Sequence, residues 1–531
     1  MVIDKTQPAV SMDKNPKDQD LTGKNRRVYN VMVGWLGQLV FVASGFILPR
    51  MIDTNLGKET LGVWDFAWSL ITYFEFIYGS LTSSVSRFVA KHRAVGDIDG
   101  VSRAVSSAFF VLLFLALLVA LLSSCIALFL PYFMQSQLGA QTKDAQWVIF
   151  FLGAGLAVKI GLAVFGGILT GCHRWDVHHG INTANRLVTL LGMIAVLKLG
   201  GGLPVLAFVY LCLETLVVSS RCSLVFRICP GLRINPRLAH RNTALNMWRF
   251  GLKTLLPDLG DLLSNQTFNL FLVWFLGPVA LASYNRPRGL VRNIQVFVRR
   301  YAFTLIPTAS SLQAMSAEKE IRELFIRSCQ TGAYIVFPMF SVLVIDGGPI
   351  LQIWMGPKYA DNILPAVLAF GYLPFLLQLP LNSLLQGFNS HGWPGLFKFI
   401  ASVTGIGSAF IALNFFHSSA TGAAIALFLP FWISEFIATP LFAAKKQKFS
   451  LRQYWLSGIL KPLLLMTPMI LCLLAFRFVY AAHPIWMLLV GIPASLSCFA
   501  ISYWFFGVTP AIQKKINSFF QFSRYFKNQS S

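Results

Sequence analysis

Arg288, Arg292, Gln295 and Arg299 fall at i, i+4, i+7 and i+11. At 100° per residue this spacing puts all four on a narrow stripe of one helix face. A guanidinium stays ionised at any depth and grips phosphate with a two-pronged fork, so the stripe suits an anion, phosphate in particular. Asp258, Asp261, Asn265 and Asn269 form a second stripe at i, i+3, i+7 and i+11. Its carboxylates either neutralise Arg292 and Arg299 or serve a cation or proton. A third group sets Asp65 and Glu75 among the aromatics Trp64, Trp68 and Tyr78. Lys159 and Glu214 each stand alone near the middle of an apolar run, and they read as a structural or coupling pair, because pairing offsets the cost of burial. Arg186 and Glu435 lie nearer polar edges, where they would snorkel or cap.

The elements that carry these groups are long and apolar. Of 531 residues, 55% are hydrophobic and only 12% charged, with mean hydropathy +0.62. Soluble domains carry about 25% charged residues, so a water-soluble protein of this composition could not cover its surface. A helix needs about 20 apolar residues to cross the hydrocarbon core. Fourteen segments meet that length, from 29–49 to 485–507, with the seventh at 249–275 and the eighth at 288–310. An even number puts both termini on one side. That side carries 26 Lys and Arg in its tails and loops against five opposite, Arg50, Lys58, Lys143, Arg286 and Lys358. The bias predicts cytoplasmic termini. It also accounts for the net charge of +23 without nucleic acid. The polar stretch Met1 to Lys24 lacks an apolar signal-peptide core, and the eight cysteines show no disulfide framework.

Leu56-Gly57 and Leu276-Gly277 match at an offset of 220 residues, as do Leu61 with Leu281, Leu70 with Leu290 and Ala94 with Ala314. The offset aligns the first span with the seventh and the second with the eighth. The predicted fold is therefore all-α and integral to the membrane, with about 14 transmembrane helices. Two six-helix lobes would be related by a pseudo-two-fold normal to the membrane, a transporter plan. The expected units are a disordered cytoplasmic tail 1–28, an N-lobe 29–248, a C-lobe 249–443, two further helices in 459–507 and a tail 508–531. Charges at mid-membrane cost at least about 2.5–3.5 kcal/mol each, and here they gather on corresponding helices of the two halves. A hydrated, cationic cavity between the lobes is the reading that uses them all.

Two motifs are set aside. The run Cys172-His173-Arg174-Trp175-Asp176-Val177-His178-His179 resembles a metal cluster but occupies a tight connection, and no metal site is expected. Gly405-Ile406-Gly407 reads as close helix packing. No nucleotide motif or other cofactor signature is visible.

Four stretches resemble the polysaccharide-type flippases, the O-antigen branch of the multidrug/oligosaccharidyl-lipid/polysaccharide superfamily. They are LGKETLGVWDFAWSL onward from Leu56-Gly57 to Gly100, PILQIWMGPKYADNILP at 349–365, LPLNSLLQGFNSHGWPGLFKF at 379–399 and TGAAIALFLPFWISE at 421–435. The resemblance implies a non-enzymatic flippase of the bacterial inner membrane. It would move a polyprenyl-pyrophosphate-linked oligosaccharide between leaflets by alternating access. Arg288, Arg292, Gln295 and Arg299 would hold the diphosphate, and Trp64, Trp68 and Tyr78 would stack on sugars. Asp65, Glu75, Asp258, Asp261, Asn265, Lys159 and Glu214 would serve coupling or ion pairing, with a proton, sodium or the membrane potential as driving force. The implied partners are the lipid-linked oligosaccharide, membrane lipids, and a polysaccharide polymerase and ligase. Span one here lacks the cation that some members place there, which leaves phosphate to span eight. The alternative is a cation- or proton-coupled multidrug exporter of the same superfamily; a membrane-embedded transferase is a third reading with less support, because no large outer loop is present.

Overall fold

A computed structural model describes residues 27–480 and 483–508, and among them there is helix and no strand. The first half is α1 (Arg27–Leu56), α2 (Lys58–Ala94), α3 (Ile98–Leu138), α4 (Thr142–Gly161) continued by α5 (Ala163–Gly171), α6 (Trp175–Lys198) and α7 (Leu203–Ile228). The second half is α8 (Arg241–Leu276), α9 (Pro278–Ala314), α10 (Glu318–Met355), α11 (Ile363–Gly387), α12 (Gly392–Phe415) and α13 (Ala420–Trp432). A π-helical stretch, Ile433–Ala438, leads α13 into α14 (Thr439–Gln447). The remaining segments, 451–479 and 484–507, contain π-helical turns and pack on the outside of α10.

Ten helical stretches of the described residues are long and apolar enough to cross a membrane. Helices α2, α8 and α9 are equally long, at 36 or 37 residues, but their polar stripes lower their hydropathy. The seventh and eighth spans begin earlier than their apolar cores indicate, at Arg241 and Pro278 rather than 249 and 288. Polar first turns are legible as helix only through what they pack on. The first half accordingly ends in the connection 229–240, and the second-half helix continues to Gln447 rather than 443.

The internal repeat is visible in the backbone. Helix boundaries at 56, 58, 94 and 98 recur at 276, 278, 314 and 318, each 220 residues on. Left-handed residues recur too. Gly57, Gly96, Gly139, His173, Gly200 and Gly231 in the first half correspond to Gly277, Ser316, Gly356, Asn389, His417 and Lys448 in the second. The offset slips from 220 to 216 or 217, chiefly because α3 has 41 residues and α10 has 38.

Packing partners repeat as well. Helix α1 lies on α6 as α8 lies on α12, and α2 lies on α4–α5 as α9 lies on α11. A methyl on Gly171 would stand 2.8 Å from the Ser86 carbonyl, and one on Gly387 would stand 2.7 Å from the Ile306 carbonyl. Small residues let these backbones touch where lipid offers no hydrophobic drive to hold them.

Between the halves the symmetry is broken. Helix α2 packs closely on α8 and α9, whereas α1, the counterpart of α8, makes at most glancing helix contact with α9. The halves thus meet closely along α2 and only loosely along α1.

Candidate functional site

The end that carries the α1–α2 and α8–α9 turns is sealed. Arg50 donates to the carbonyls of Ile353, at 2.8 Å, and Trp354. The Trp354 indole donates to the Phe46 carbonyl at 2.7 Å. Tyr359 donates to Asp53 Oδ1 at 2.9 Å, and Lys358 Nζ lies 2.9 Å from Asp53 Oδ2. Burial, and then the Asp53 carboxylate, push the Tyr359 hydroxyl above its ordinary range, so it remains a donor. Slightly deeper, Asp65 pairs with buried Arg286 and accepts from Asn285 Nδ2 at 3.1 Å. Asp65 and Asn285 are 220 residues apart, so the repeat brings its own equivalent positions face to face.

Below this seal the second half builds a polar wall. Arg288 Nη1 donates to Asn269 Oδ1 at 3.2 Å and Asn285 Oδ1 at 3.3 Å, and its Nε donates to the Tyr372 hydroxyl at 3.3 Å. Tyr372 in turn donates to Asn265 Oδ1 at 2.8 Å, and Asn269 Nδ2 donates to Ser69 at 2.9 Å. Asp261 is held by Lys398 of α12 at 2.6 Å. Asp261, Asn265, Gln295, Arg299, Tyr372 and Phe428 line a cavity of about 190 Å³.

The first half contributes a second set. Lys159 Nζ lies 2.6 Å from Glu75 Oε1, which also accepts from Tyr78 at 3.5 Å. Glu214 accepts from Asn185 Nδ2 at 3.0 Å. The Phe41 ring carries Arg186 of α6 on it at 4.3 Å and Arg292 of α9 at 5.5 Å. The two guanidinium carbons are therefore no farther apart than the sum of those distances, and they come from opposite halves. Arg300 lies 3.9 Å from the Trp35 ring. Helices α1 and α9, which barely touch, are thus bridged by cations on aromatic faces, a contact of about 0.5–2 kcal/mol each.

The predicted arginine stripe divides by role. Arg288 is half-buried and engaged by neutral partners, while Arg292 and Arg299 are exposed and Gln295 lies beside Arg299. Among the described residues, no ion pair involves Arg186, Arg292, Arg299 or Arg300, while Asp65, Glu75 and Asp261 each have a cation. The local balance is a positive surplus.

Several expectations are corrected. Lys159 pairs with Glu75 and not with Glu214, because α4 packs on α2. Asp261 neutralises Lys398 rather than Arg292 or Arg299. Trp64 is 5% exposed and packs edge-on to Trp68 in the core, so no sugar can stack on it in this conformation. Trp68 is half-buried, with its ring edge-on to Tyr210 at 5.3 Å. Glu435 does not cap or snorkel at a polar edge; it is fully buried. The Asp258 side chain lies outside the described residues. Arg186, Phe41, Tyr372 and Lys398 were not singled out for the site. Tyr372 lies in a Pro-rich apolar run and Lys398 is a lone cation in another, so only their packing against polar stripes marks them.

A profile of the family described as "Polysaccharide biosynthesis protein" matches residues 28–313, more than half of the chain. No curated protein sequence matches. Among solved structures, the lipid II flippase MurJ in its inward closed conformation superposes with a TM-score of 0.69 at 12% identity, covering 90% of this chain and 98% of that one. The inward-facing conformation of a multidrug resistance MATE family transporter of the MOP superfamily gives 0.65 at 13% identity, covering 80% and 99%. An outward-facing conformation of such a transporter gives 0.53 at 13% identity, covering 82% and 97%. The fold is that of these multi-pass membrane transporters, and the chain itself belongs to the polysaccharide biosynthesis protein family.

Proposed function

We propose that this protein is a flippase for a polyprenyl-diphosphate-linked oligosaccharide, working by alternating access through fourteen spans with both termini cytoplasmic. The observation that carries the reading is the surplus of accessible arginines, Arg186, Arg292, Arg299 and Arg300, at an interface where Asp65, Glu75 and Asp261 are already paired. A diphosphate is the group that such a surplus best neutralises, because each guanidinium can fork onto phosphate oxygens. Arg186 and Arg292 come from opposite halves, so a diphosphate bound between them ties the halves together, and the affinity differs between open and closed states as a switch requires. Helices α1 and α9 are held by cations on aromatic faces rather than by close helix packing, and their parting would let the prenyl tail stay in lipid while the headgroup enters. In this orientation the sealed end faces outward and the cavity opens to the cytoplasm. The higher superposition score with an inward-facing transporter than with an outward-facing one agrees with that state.

A cationic-drug exporter fits less well. Such a substrate needs a free carboxylate, and Asp261, the acid lining the cavity, is occupied by Lys398 at 2.6 Å.

The test is leaflet distribution of lipid-linked oligosaccharide after depletion, complemented by wild type or Arg292→Ala. Losing one charge-assisted contact of about 1.5–3 kcal/mol is expected to slow flipping roughly ten- to hundredfold. Cytoplasmic-leaflet accumulation that wild type relieves and Arg292→Ala does not supports the reading. An unchanged distribution on depletion overturns it.

A further inference from the structure

A buried polar cluster lies in the second half, away from the arginines. Glu435 sits in the π-helical stretch Ile433–Ala438 and is 0% exposed. Asn382 of α11 donates through Nδ2 to Glu435 Oε2 at 3.2 Å. The other carboxyl oxygen, Oε1, is buried and has no hydrogen-bond donor, and the other amide atom, Asn382 Oδ1, is in the same situation. The hydroxyls of Ser434 on the same stretch and of Thr439 at the start of α14 do not reach either oxygen.

These are two orphaned acceptors attached to two groups already joined by one hydrogen bond. Turning the amide over does not help, since it would set the amide oxygen against Glu435 Oε2. A buried carboxylate with a single donor carries a large desolvation cost. One proton removes both the charge and the mismatch. Placed on Oε1, it makes that oxygen a donor, and a bond from it to Asn382 Oδ1 would close an eight-membered acid–amide ring with the existing one. The charged groups near enough to act on Glu435 are Lys398 and Asp261, which form an ion pair at 2.6 Å. Neither is free to neutralise a carboxylate at 435. On the elements packed against this stretch, α11 to α14, the remaining charges are Lys445 and Lys446 at the far end of α14.

We infer that Glu435 is a proton-binding site, protonated in this conformation and locked as a neutral acid by Asn382. The proton comes from water, and no redox step or metal is involved. The site stands on its own geometry. Where it rests on the transport reading is in supplying a proton-linked step: Asp261 and Lys398 connect it to the cavity wall, so a conformational change that separates that pair changes the proton affinity of Glu435.

The experiment is infrared difference spectroscopy on the full chain in lipid nanodiscs, without substrate. Wild type at neutral pH should show a protonated-carboxyl C=O band that shifts in D₂O and disappears at high pH. Glu435→Gln, whose amide reproduces the ring, should remove that band and leave thermal stability near wild type. Asn382→Ala should keep the band and move it to the frequency of a more weakly bonded acid. If Glu435→Gln removes no carboxyl band at neutral pH, the inference fails. It also fails if sodium, compared with choline at fixed pH, shifts the carboxylate stretch of Glu435, since the site would then hold an alkali cation. Because no substrate is present, failure here leaves the flippase reading standing, and failure of the leaflet assay leaves the proton site standing.

Discussion

Arginines on a single helix do different work according to what the facing helices bring. Arg286 is buried against Asp65, while Arg292, under two turns further on, is exposed and lies over the Phe41 ring. Breaking a buried pair strands a charge and costs about 3–5 kcal/mol. Arg286→Ala or Asp65→Ala should therefore lower thermal stability sharply, whereas Arg292→Ala, which loses an exposed cation–aromatic contact, should lower it by only about 0.5–1 kcal/mol while still impairing transport. Lys159→Ala should destabilise by stranding Glu75, and the double variant Lys159→Met with Glu75→Gln should recover most of the loss, as read from unfolding midpoints. Spacing alone identified the arginine stripe, because faces follow from periodicity. It did not identify Glu75 as the partner of Lys159, 84 residues away, because which faces meet is decided by packing. The burial of Glu435 is hidden for the same reason: its place near the end of an apolar run says nothing of the helices around it.

At the scale of elements, the seal depends on close approach of α2 to the start of α9. A methyl on Gly62 would overlap the backbone carbonyl of Pro278. Gly62→Val should wedge the two helices apart and favour opening at the end that is closed here. Spin labels at exposed positions 54 and 362 should then report a longer, broader distance distribution than in the wild-type background. An unchanged distribution would mean that the latch of Arg50, Asp53, Lys358 and Tyr359 holds the end by itself. The existence and apolar cores of most helices were legible from hydropathy, but the extent of α2, α8 and α9 was not. Their polar stripes are stabilised by facing polar groups, and hydropathy counts those stripes as evidence against a span.

At the scale of the molecule, two halves of one plan meet closely on one side and loosely on the other. In sequence the repeat was visible only over its first stretch. Three residues fewer in α10 than in α3 break a single-offset match after Gly139, although each later turn still has a counterpart.

Those paired turns also act as a sequence alignment of the chain with itself. In three of them the first half uses glycine where the second does not: Gly96 against Ser316 (φ 52°), Gly200 against His417 (φ 45°) and Gly231 against Lys448 (φ 54°). A side chain in the left-handed region costs about 1–2 kcal/mol, part of which glycine gives back as chain entropy. Ser316→Gly, His417→Gly and Lys448→Gly should each raise the melting temperature slightly, by up to about 1 kcal/mol of stability. His417 lies at the opposite end of the spans from Ser316 and Lys448, so its effect should add to theirs. One half of the protein thus serves as the consensus for repairing the other, and the stabilised chain would suit work that must hold the transporter in detergent.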